Sequence, residues 1–327
     1  MTILVTGATG FVGSAVARAL LRNNASVAVL ARRDNDRRNI EGLDVELRHG
    51  DLRDKLSLER ACRGCDTLFH IAADYRLWTR DKSELYASNV DGTRNLMEAA
   101  LETGIKKIVY TSSVATLGIN SDGIPGTETT PVSLADMIGH YKRSKFLAEE
   151  VVMELATRYE LPVVIVNPST PVGPRDIKPT PTGRLVRDAV AGKIPAYVDT
   201  GLNIAHVDDV ATGHLLALEK GQIGRRYILG GDNLSLREIL TEIAQLCGRQ
   251  TPKVRLPRRL VYPVAFASEA WAWLTDGAQP QVTVDGLKMA KKKMFFDSTR
   301  AIKELGYRSR PADEALADAV AWFTQDH

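Results

Sequence analysis

The stretch ILVTGATGFVGSAVARALL (3–21) decides the fold, because a glycine-rich turn joins a short apolar strand to a helical pattern. The first glycines permit a tight turn and a close approach of the backbone to a diphosphate, and the last permits close packing of helix on strand. Free N–H groups and the helix dipole favour an anion at such a helix start. We therefore predict a dinucleotide site whose diphosphate contacts Gly7, Thr9, Gly10, Phe11, Val12 and Gly13.

Short β-rich segments alternate with segments of helical length through the first half of the chain. They are TILVT (2–6), SVAVLA (26–31), DVELRH (44–49), DTLFHIA (66–72), KIVYTSS (107–113) and LPVVIVN (161–167). This alternation predicts an α/β fold, a doubly wound parallel sheet of the Rossmann type with helices on both faces. Later, short strands mix with helices, which predicts a smaller mixed C-terminal lobe. We place the dinucleotide-binding domain at 1–168 and the substrate lobe mainly at 169–327, with about 203–230 returning to the first domain.

Two later segments stand apart from this pattern. NPSTPVGPRDIKPTPTG (167–183) contains five prolines and is interpreted as an ordered loop over a cleft rather than as a strand or helix. LVYPVAFASEAWAWL (260–274) is too short to span a membrane and contains Pro263 and Glu269. We interpret it as a core or lobe helix, and a membrane-surface or lipid-facing helix is the alternative.

Composition narrows the classes of function. The 327 residues carry 43 basic and 40 acidic side chains, a balance too even for the electrostatic footprint of a nucleic-acid-binding protein. Three cysteines suggest no disulfide framework and therefore a reducing compartment, and the first residues show no secretory leader. We expect a cytoplasmic protein with a small-molecule substrate, no nucleic-acid partner and no metal site.

The end of the second strand bears on the choice of dinucleotide. Arg32 and Arg33 stand where an acidic residue would bind the adenosine ribose of NAD, and an arginine there would pair with a 2′-phosphate. We therefore predict NADP over NAD, although plain surface arginines are the alternative. Asp51 and Leu52, after the third strand, are predicted to reach the adenine, and a turn or cap role for the aspartate is the alternative.

The segment YKRSK (141–145) carries the candidate chemistry. Lys145 follows Tyr141 by one helical turn, so both side chains project from one face. A free phenol has a pKa near 10, and a nearby ammonium group with an oxidised nicotinamide favours the phenolate. Ser113, after the fifth strand in IVYTSSVATLG (108–118), would point into the same crevice and hold a substrate oxygen, and a plain loop hydrogen bond is the alternative.

The order GATGFVG, YTSSVA, YKRSK resembles the extended short-chain dehydrogenase/reductase family over most of the chain. FHIAA, SNVDGTRN, NPSTPVGP and HVDDVATGH are further matches to this family. Through AADYRLW, SSVATLG, IGHYKRSKF and VNPSTPVGPRDIKPTPTGR the chain resembles the hopanoid-associated sugar epimerase group, which is also similar to plant dihydroflavonol and cinnamoyl reductases. The resemblance implies a catalytic trio of Ser113, Tyr141 and Lys145. Lys145 would lower the pKa of the tyrosine and hold the nicotinamide ribose. The resemblance also implies that Ala72, Ala73 and Pro168 line the cofactor.

Residues after the fourth strand are candidates for substrate binding. ADYRLWTRD (73–81) places Asp74, Tyr75 and Trp78 at the mouth of the crevice, where aromatic rings would stack on a substrate, although packing against the Pro-rich segment is the alternative. Val114 and Asn167 complete the predicted substrate contacts.

The leading hypothesis is an NADP-dependent oxidoreductase acting at an alcohol or carbonyl carbon of a sugar-like, polyol or lipid-linked substrate. An epimerase or dehydratase with no net redox change and a non-catalytic NADP sensor are the alternatives. The NPSTPVGP segment and Arg32 favour the reductase over the sugar epimerase. We also predict a possible homodimer and possible peripheral contact with a membrane or lipid.

Overall fold

A computed structural model describes residues 2–120, 123–275, 280 and 282–325. The strands are β1 (Thr2–Thr6), β2 (Ser26–Ala31), β3 (Glu46–His49), β4 (Cys65–His70), β5 (Lys107–Thr111), β6 (Val163–Pro168), β7 (Thr170–Val172), β8 (Ala196–Tyr197), β9 (Gly201–His206), β10 (Arg226–Leu229), β11 (Asp232–Ser235) and β12 (Val254–Arg255). The helices are α1 (Phe11–Arg22), α2 (Lys55–Cys62), α3 (Ser83–Tyr86), α4 (Gly92–Glu102), α5 (Gly139–Tyr159), α6 (Pro181–Val190), α7 (Val207–Lys220), α8 (Leu236–Leu246), α9 (Arg258–Leu274), α10 (Val284–Met289) and α11 (Ala312–Thr324). A π-helical turn at Ala87–Asp91 joins α3 to α4.

Seven strands form one parallel sheet in the order β10-β6-β5-β4-β1-β2-β3. Helices α1 and α7 pack on one face, and α2, α4 and α5 pack on the other. Because both faces are covered, the central strands are almost wholly apolar and buried. The doubly wound Rossmann sheet predicted from the alternating pattern is confirmed.

The remaining elements form a smaller mixed lobe. Strand β9 pairs antiparallel with β11 and parallel with β7, and the apolar sides of α6, α8 and α11 cover this short sheet. The predicted mixed lobe is therefore confirmed, while the domain boundary at residue 168 stays a prediction. Among the described residues, no helix is both long and apolar enough to cross a lipid bilayer.

One sequence prediction about the Pro-rich segment 167–183 was wrong. Its residues Thr170–Val172 form β7, which pairs with β9 more than 30 positions later, and Pro181 begins α6. A proline at the first helical position costs no hydrogen bond, because that N–H has no partner inside a helix. The pairing partner of β7 is distant in sequence, so local composition favoured a loop.

Candidate active site

The glycine turn between β1 and α1 is built for close approach. Gly7 has a φ of +74°, and a Cβ added there would lie 2.6 Å from the backbone nitrogen of Ala72. A Cβ added at Gly13 would lie 2.1 Å from the carbonyl oxygen of Gly7. Helix α1 has no side-chain cap at Gly10 and no acidic residue in its first turn. The uncapped N–H groups therefore fit a dinucleotide diphosphate.

Arg32 lies beside this turn. Its Nε donates to Asn35 Oδ1 at 3.1 Å, and Asn35 Nδ2 donates to Thr9 Oγ1 at 3.2 Å. The Arg32 side chain is 54% exposed, so most of its guanidinium faces solvent. Arg33 is also exposed, and its carbonyl accepts a hydrogen bond from Arg37. Asn35 thus connects Arg32, the first residue predicted to bind a 2′-phosphate, to the glycine turn between β1 and α1.

The predicted adenine contacts lie at the end of β3. A hydrogen bond from Arg53 lowers the pKa of Asp51, and the charge of Arg32 contributes in the same direction. Leu52 packs against α4, where a Cβ added at Gly92 would lie 2.7 Å from the Leu52 Cβ. Asp51 is therefore ionised and electrostatically coupled to Arg32, while its contact with an adenine stays a prediction.

The candidate catalytic trio comes from β5 and α5. Ser113 follows β5 directly, and its Oγ accepts from the backbone nitrogen of Ala115 at 3.1 Å. Tyr141 is in the first turn of α5. Burial raises the pKa of Tyr141, and the nearby side chain of Ser113 opposes the rise. The protein alone therefore does not supply the lowering of that pKa expected from Lys145.

Lys145 is buried one turn further along α5. Its Nζ donates to the carbonyl oxygen of Thr111 at 2.9 Å and to the Tyr110 hydroxyl at 3.4 Å, and lies 5.0 Å from the centre of the Tyr110 ring. Burial lowers the pKa of Lys145 to about 8, while the charge of Glu149 acts in the opposite direction. The ammonium is therefore charged at neutral pH and is held by β5.

A chain of buried polar groups supports Tyr110. The Thr6 hydroxyl accepts from the backbone nitrogens of residues 71 and 72 and therefore donates to His70 Nδ1 at 2.9 Å. His70 Nε2 then donates to Thr93 Oγ1 at 3.0 Å, and the ring centres of His70 and Tyr110 lie 5.6 Å apart. Burial lowers the pKa of His70 to about 3, so the ring is neutral. The chain runs from the glycine-turn strand β1 to the lysine.

A second buried cluster lies behind Ser113. Asn167 Nδ2 donates to the Ser113 carbonyl at 3.1 Å and to Glu149 Oε2 at 3.1 Å, and Thr116 also donates to Glu149. Arg226 approaches the other oxygen of Glu149 at 3.2 Å. Val114 is 2% exposed in an apolar cluster. Asn167 and Val114 therefore pack behind the loop that contains Ser113 and support it. Contact of either residue with substrate stays a prediction.

Asp74 is fixed at the mouth of the crevice by Asn89, which belongs to the π-helical turn. Asn89 Oδ1 accepts from the Asp74 nitrogen at 2.7 Å, and Asn89 Nδ2 donates to the Asp74 carbonyl and to Ser144 Oγ of α5. The Asp74 carboxylate pairs with Arg76, and its charge also contributes to the raised pKa of Tyr141. Asp74 is therefore electrostatically coupled to the trio.

The other predicted site residues occupy varied places. The Tyr75 hydroxyl donates to the carbonyl of Lys178 at 3.2 Å, which is the alternative contact with the Pro-rich segment. Trp78, Ala72 and Ala73 are half-buried, and Pro168 is buried at the end of β6. Substrate contact by Tyr75 or Trp78 and cofactor contact by the other three stay predictions.

Sequence reasoning missed Tyr110, Thr93, His70 and Glu149 as parts of the site. Their signal was a polar side chain at the end of an otherwise apolar strand, or on the buried side of a helix. Such a position predicts burial, and buried polar groups need partners. The partners come from β1, α4 and α5, which only the tertiary fold brings together.

The glycine turn, the serine after β5 and the Tyr-Lys pair define a class of nicotinamide-dependent enzymes. The sequence model of the NAD dependent epimerase/dehydratase family matches residues 3–230. The chain belongs to this family of extended short-chain dehydrogenases/reductases, which confirms the resemblance found in its motifs. It is therefore an NAD(P)-dependent enzyme, an oxidoreductase or an epimerase.

Three relatives cover nearly the whole chain. A Synechocystis sp. protein with the provisional name dihydroflavonol 4-reductase is 43% identical over 99% of this chain and 94% of its own. Sterol demethylase protein B of Methylococcus capsulatus is 36% identical over 99% of both chains. The crystal structure of gox2253 is 55% identical, with a TM-score of 0.89 over 99% of this chain and 98% of that one.

Proposed function

We propose that the protein is an NADP-dependent oxidoreductase acting at an alcohol or carbonyl carbon. The observation that carries this proposal is the convergence of three features at the carboxyl ends of β1 and β5. An uncapped diphosphate turn, the electrostatically coupled pair Ser113 and Tyr141, and a buried charged Lys145 lie there. Ligands of open parallel sheets bind at these strand ends. A non-catalytic sensor would need neither the tyrosine nor the lysine.

Each member of the trio has a distinct role. When bound, the nicotinamide supplies or accepts a hydride. Tyr141 donates the proton to the substrate oxygen during reduction and removes it during oxidation. Ser113 holds that oxygen next to the phenol through its hydroxyl, whose proximity already lowers the pKa of Tyr141. Lys145 presents a positive charge that stabilises the phenolate and binds the nicotinamide ribose.

Replacing Tyr141 by Phe tests this assignment. We expect turnover to fall by about 100-fold or more, because the proton donor is lost, while NADPH binding changes by less than about twofold. Tyr159→Phe is the matched control, since this tyrosine ends the same helix and is 51% exposed. Full turnover by the Tyr141 variant would remove the phenol from the mechanism.

The preference for NADP is supported by Arg32. Its guanidinium is anchored to the diphosphate turn through Asn35, its Nε lies 3.9 Å from the Asp34 carboxylate, and the side chain is 54% exposed towards a 2′-phosphate in solvent. Arg32→Ala should weaken NADPH binding by about tenfold to 100-fold, the worth of one charge-assisted hydrogen bond, and leave NADH binding unchanged. Arg308→Ala, at another exposed arginine, is the control for calorimetry. Equal losses for both dinucleotides would contradict the preference.

The second candidate function is epimerisation or dehydration with no net redox change. It is favoured by the family match and by the fold of a nucleoside-diphosphate-sugar epimerase from Pseudomonas aeruginosa, which is 30% identical with a TM-score of 0.82. Turnover with substrate in excess separates the two functions. A reductase consumes one NADPH for each product, whereas an epimerase or dehydratase forms product at constant NADPH absorbance.

The substrate class proposed is sugar-like, polyol or lipid-linked. The similarity to sterol demethylase protein B and the hopanoid-type sequence segments support the lipid-linked members of this class. A panel of sterol-type alcohols, polyols and nucleotide sugars, each followed by NADPH absorbance and by product analysis, tests the choice. Turnover of nucleotide sugars alone would exclude the lipid-linked substrates. The homodimer and the cytoplasmic location stay predictions.

A further inference from the structure

Helix α9 presents its apolar side to solvent. Ala265 and Ala272 face the protein and are 0% and 2% exposed. At 3.6 residues per turn, the large apolar side chains fall mainly on the other side of the helix. They are Leu260 (68% exposed), Val264 (57%), Phe266 (59%), Trp271 (66%), Trp273 (65%) and Leu274 (71%). An ordinary surface helix does the reverse and buries its apolar stripe. We call these six side chains the α9 face.

Exposed basic side chains border one end of the α9 face. Arg258 Nη1, at the start of the helix, donates to the carbonyl of Ala290 at 2.7 Å, which brings the next three residues to the same end. These are Lys291, Lys292 and Lys293, all exposed. Among the described residues, none of the three has a carboxylate within 4.0 Å. These three lysines form the basic rim; Asp136 and Glu238 interact with Lys292 and Lys293 only at longer range.

The other end of the α9 face reaches the mouth of the active site. Arg80 donates a hydrogen bond to the carbonyl of Trp273. Arg80 lies on the same loop as Asp74 and Tyr75, and Tyr75 is 41% exposed at the crevice mouth. The apolar surface is therefore connected, through this loop, to the entrance of the site. A surface bound by α9 would lie close to the place where substrate enters.

We propose that the α9 face docks the enzyme on an anionic membrane surface. Tryptophan rings favour the boundary between acyl chains and headgroups, and a helix with an apolar outer side lies in that plane. The lysines at one end of the face would attract anionic lipid headgroups. Protein partners do not in general offer such headgroups. Exposed apolar surface of this kind marks an interaction site. The inference goes beyond the proposed catalysis, because docking requires no turnover.

Co-sedimentation with vesicles tests the proposal on the full chain. Vesicles of phosphatidylcholine with phosphatidylglycerol should bind the protein, pure phosphatidylcholine vesicles should bind it weakly, and high salt should release it. Leu260→Ser/Trp271→Ser should reduce binding by about tenfold or more, because two apolar side chains that would insert into the membrane are lost. Replacing Lys291, Lys292 and Lys293 by Gln should reduce binding on the order of 100-fold.

Matched controls separate docking from general effects. Leu56→Ser/Ile223→Ser removes two apolar side chains that are 63% and 65% exposed elsewhere, and should leave binding unchanged. Changing the exposed Lys107, Lys193 and Lys303 to Gln removes the same charge away from α9. Thermal melts identify any misfolded variant, and brominated lipids that quench tryptophan fluorescence identify insertion in a folded one.

Two outcomes would overturn the proposal. In the first, wild-type protein does not bind the anionic vesicles, or the α9 and control variants bind them equally. In the second, light scattering shows that the wild-type protein is a dimer and that the Leu260→Ser/Trp271→Ser variant is a monomer, while neither protein binds vesicles. The α9 face would then be covered by a second copy of the chain. Neither outcome affects turnover of a water-soluble substrate, so a failure here is distinguishable from a failure of the proposed function.

Discussion

Tyr110 is expected to raise the pKa of Lys145 against the effect of burial, and two substitutions separate the contribution of its hydroxyl from that of its ring. In the structure the hydroxyl accepts from Lys145 Nζ at 3.4 Å, and the ring centre lies 5.0 Å from the same atom. Tyr110→Phe removes the first interaction and keeps the second. Tyr110→Leu removes both and leaves an apolar side chain of similar burial.

The magnitudes follow from these two contacts. A long hydrogen bond to a charged group contributes about 1 kcal/mol, which corresponds to a pKa lower by about 0.7. A desolvated cation–π contact contributes about 2 kcal/mol more. Because the pKa of Lys145 is about 8, we expect about 7 in the Phe variant and about 6 in the Leu variant. The lysine of the Leu variant would then be largely neutral at physiological pH.

The assay is the pH dependence of kcat/KM, which reports the ionisation of groups in the free enzyme. Activity falls as pH rises through the pKa of Lys145, because the neutral amine no longer stabilises the phenolate. The midpoint of this fall should move to lower pH in the order wild type, Phe, Leu. Tyr227→Phe is the control, since Tyr227 is equally buried and its hydroxyl bonds Glu304 away from the site. A uniform loss of activity with an unchanged midpoint would refute the reasoning.

Two further predictions concern stability and cofactor binding. Lys142→Met should stabilise the fold by up to about 3 kcal/mol at pH 7, since burial lowers the pKa of Lys142 from 10.5 to about 8 and its ammonium lies 4.0 Å from the Met294 sulfur, a weak acceptor. The cost of burying the Lys142 ammonium is fully present below pH 8 and vanishes by pH 10.5. In urea unfolding, the gain in stability of the variant over wild type should therefore be smaller at pH 10 than at pH 7. An equal gain at both pH values would contradict the prediction. Gly13→Ala should destabilise by about 1–3 kcal/mol and weaken NADPH and NADH alike, because its Cβ would lie 2.1 Å from the Gly7 carbonyl. Thermal melts and calorimetry measure both effects, and normal dinucleotide affinity would refute the packing argument.

Much of the sheet was predictable because its strands are short apolar runs between helical patterns, and burial on both faces leaves that signature. The positions of the three candidate catalytic residues were predictable for a similar local reason: Tyr141 and Lys145 share one helix, and Ser113 follows the end of β5 by two residues. By contrast, β7 depends on a partner strand distant in sequence. For α9 the sequence left a core helix and a surface helix as alternatives, because periodicity shows that a helix has two faces and not which of them is buried.

The electrostatics of the site explain why Lys145 needs β5 rather than an acidic partner. A carboxylate bonded to Lys145 would neutralise the charge that Tyr141 requires, so the charge must be held by neutral groups. The structure supplies a carbonyl and an aromatic ring, and the histidine behind that ring is neutral. The nearby acid, Glu149, is engaged by Thr116, Asn167 and Arg226 and acts on Lys145 only through its field. Glu149 thus favours the protonated ammonium without binding it, and in the proposed mechanism this positive charge acts on the phenol and the cofactor ribose.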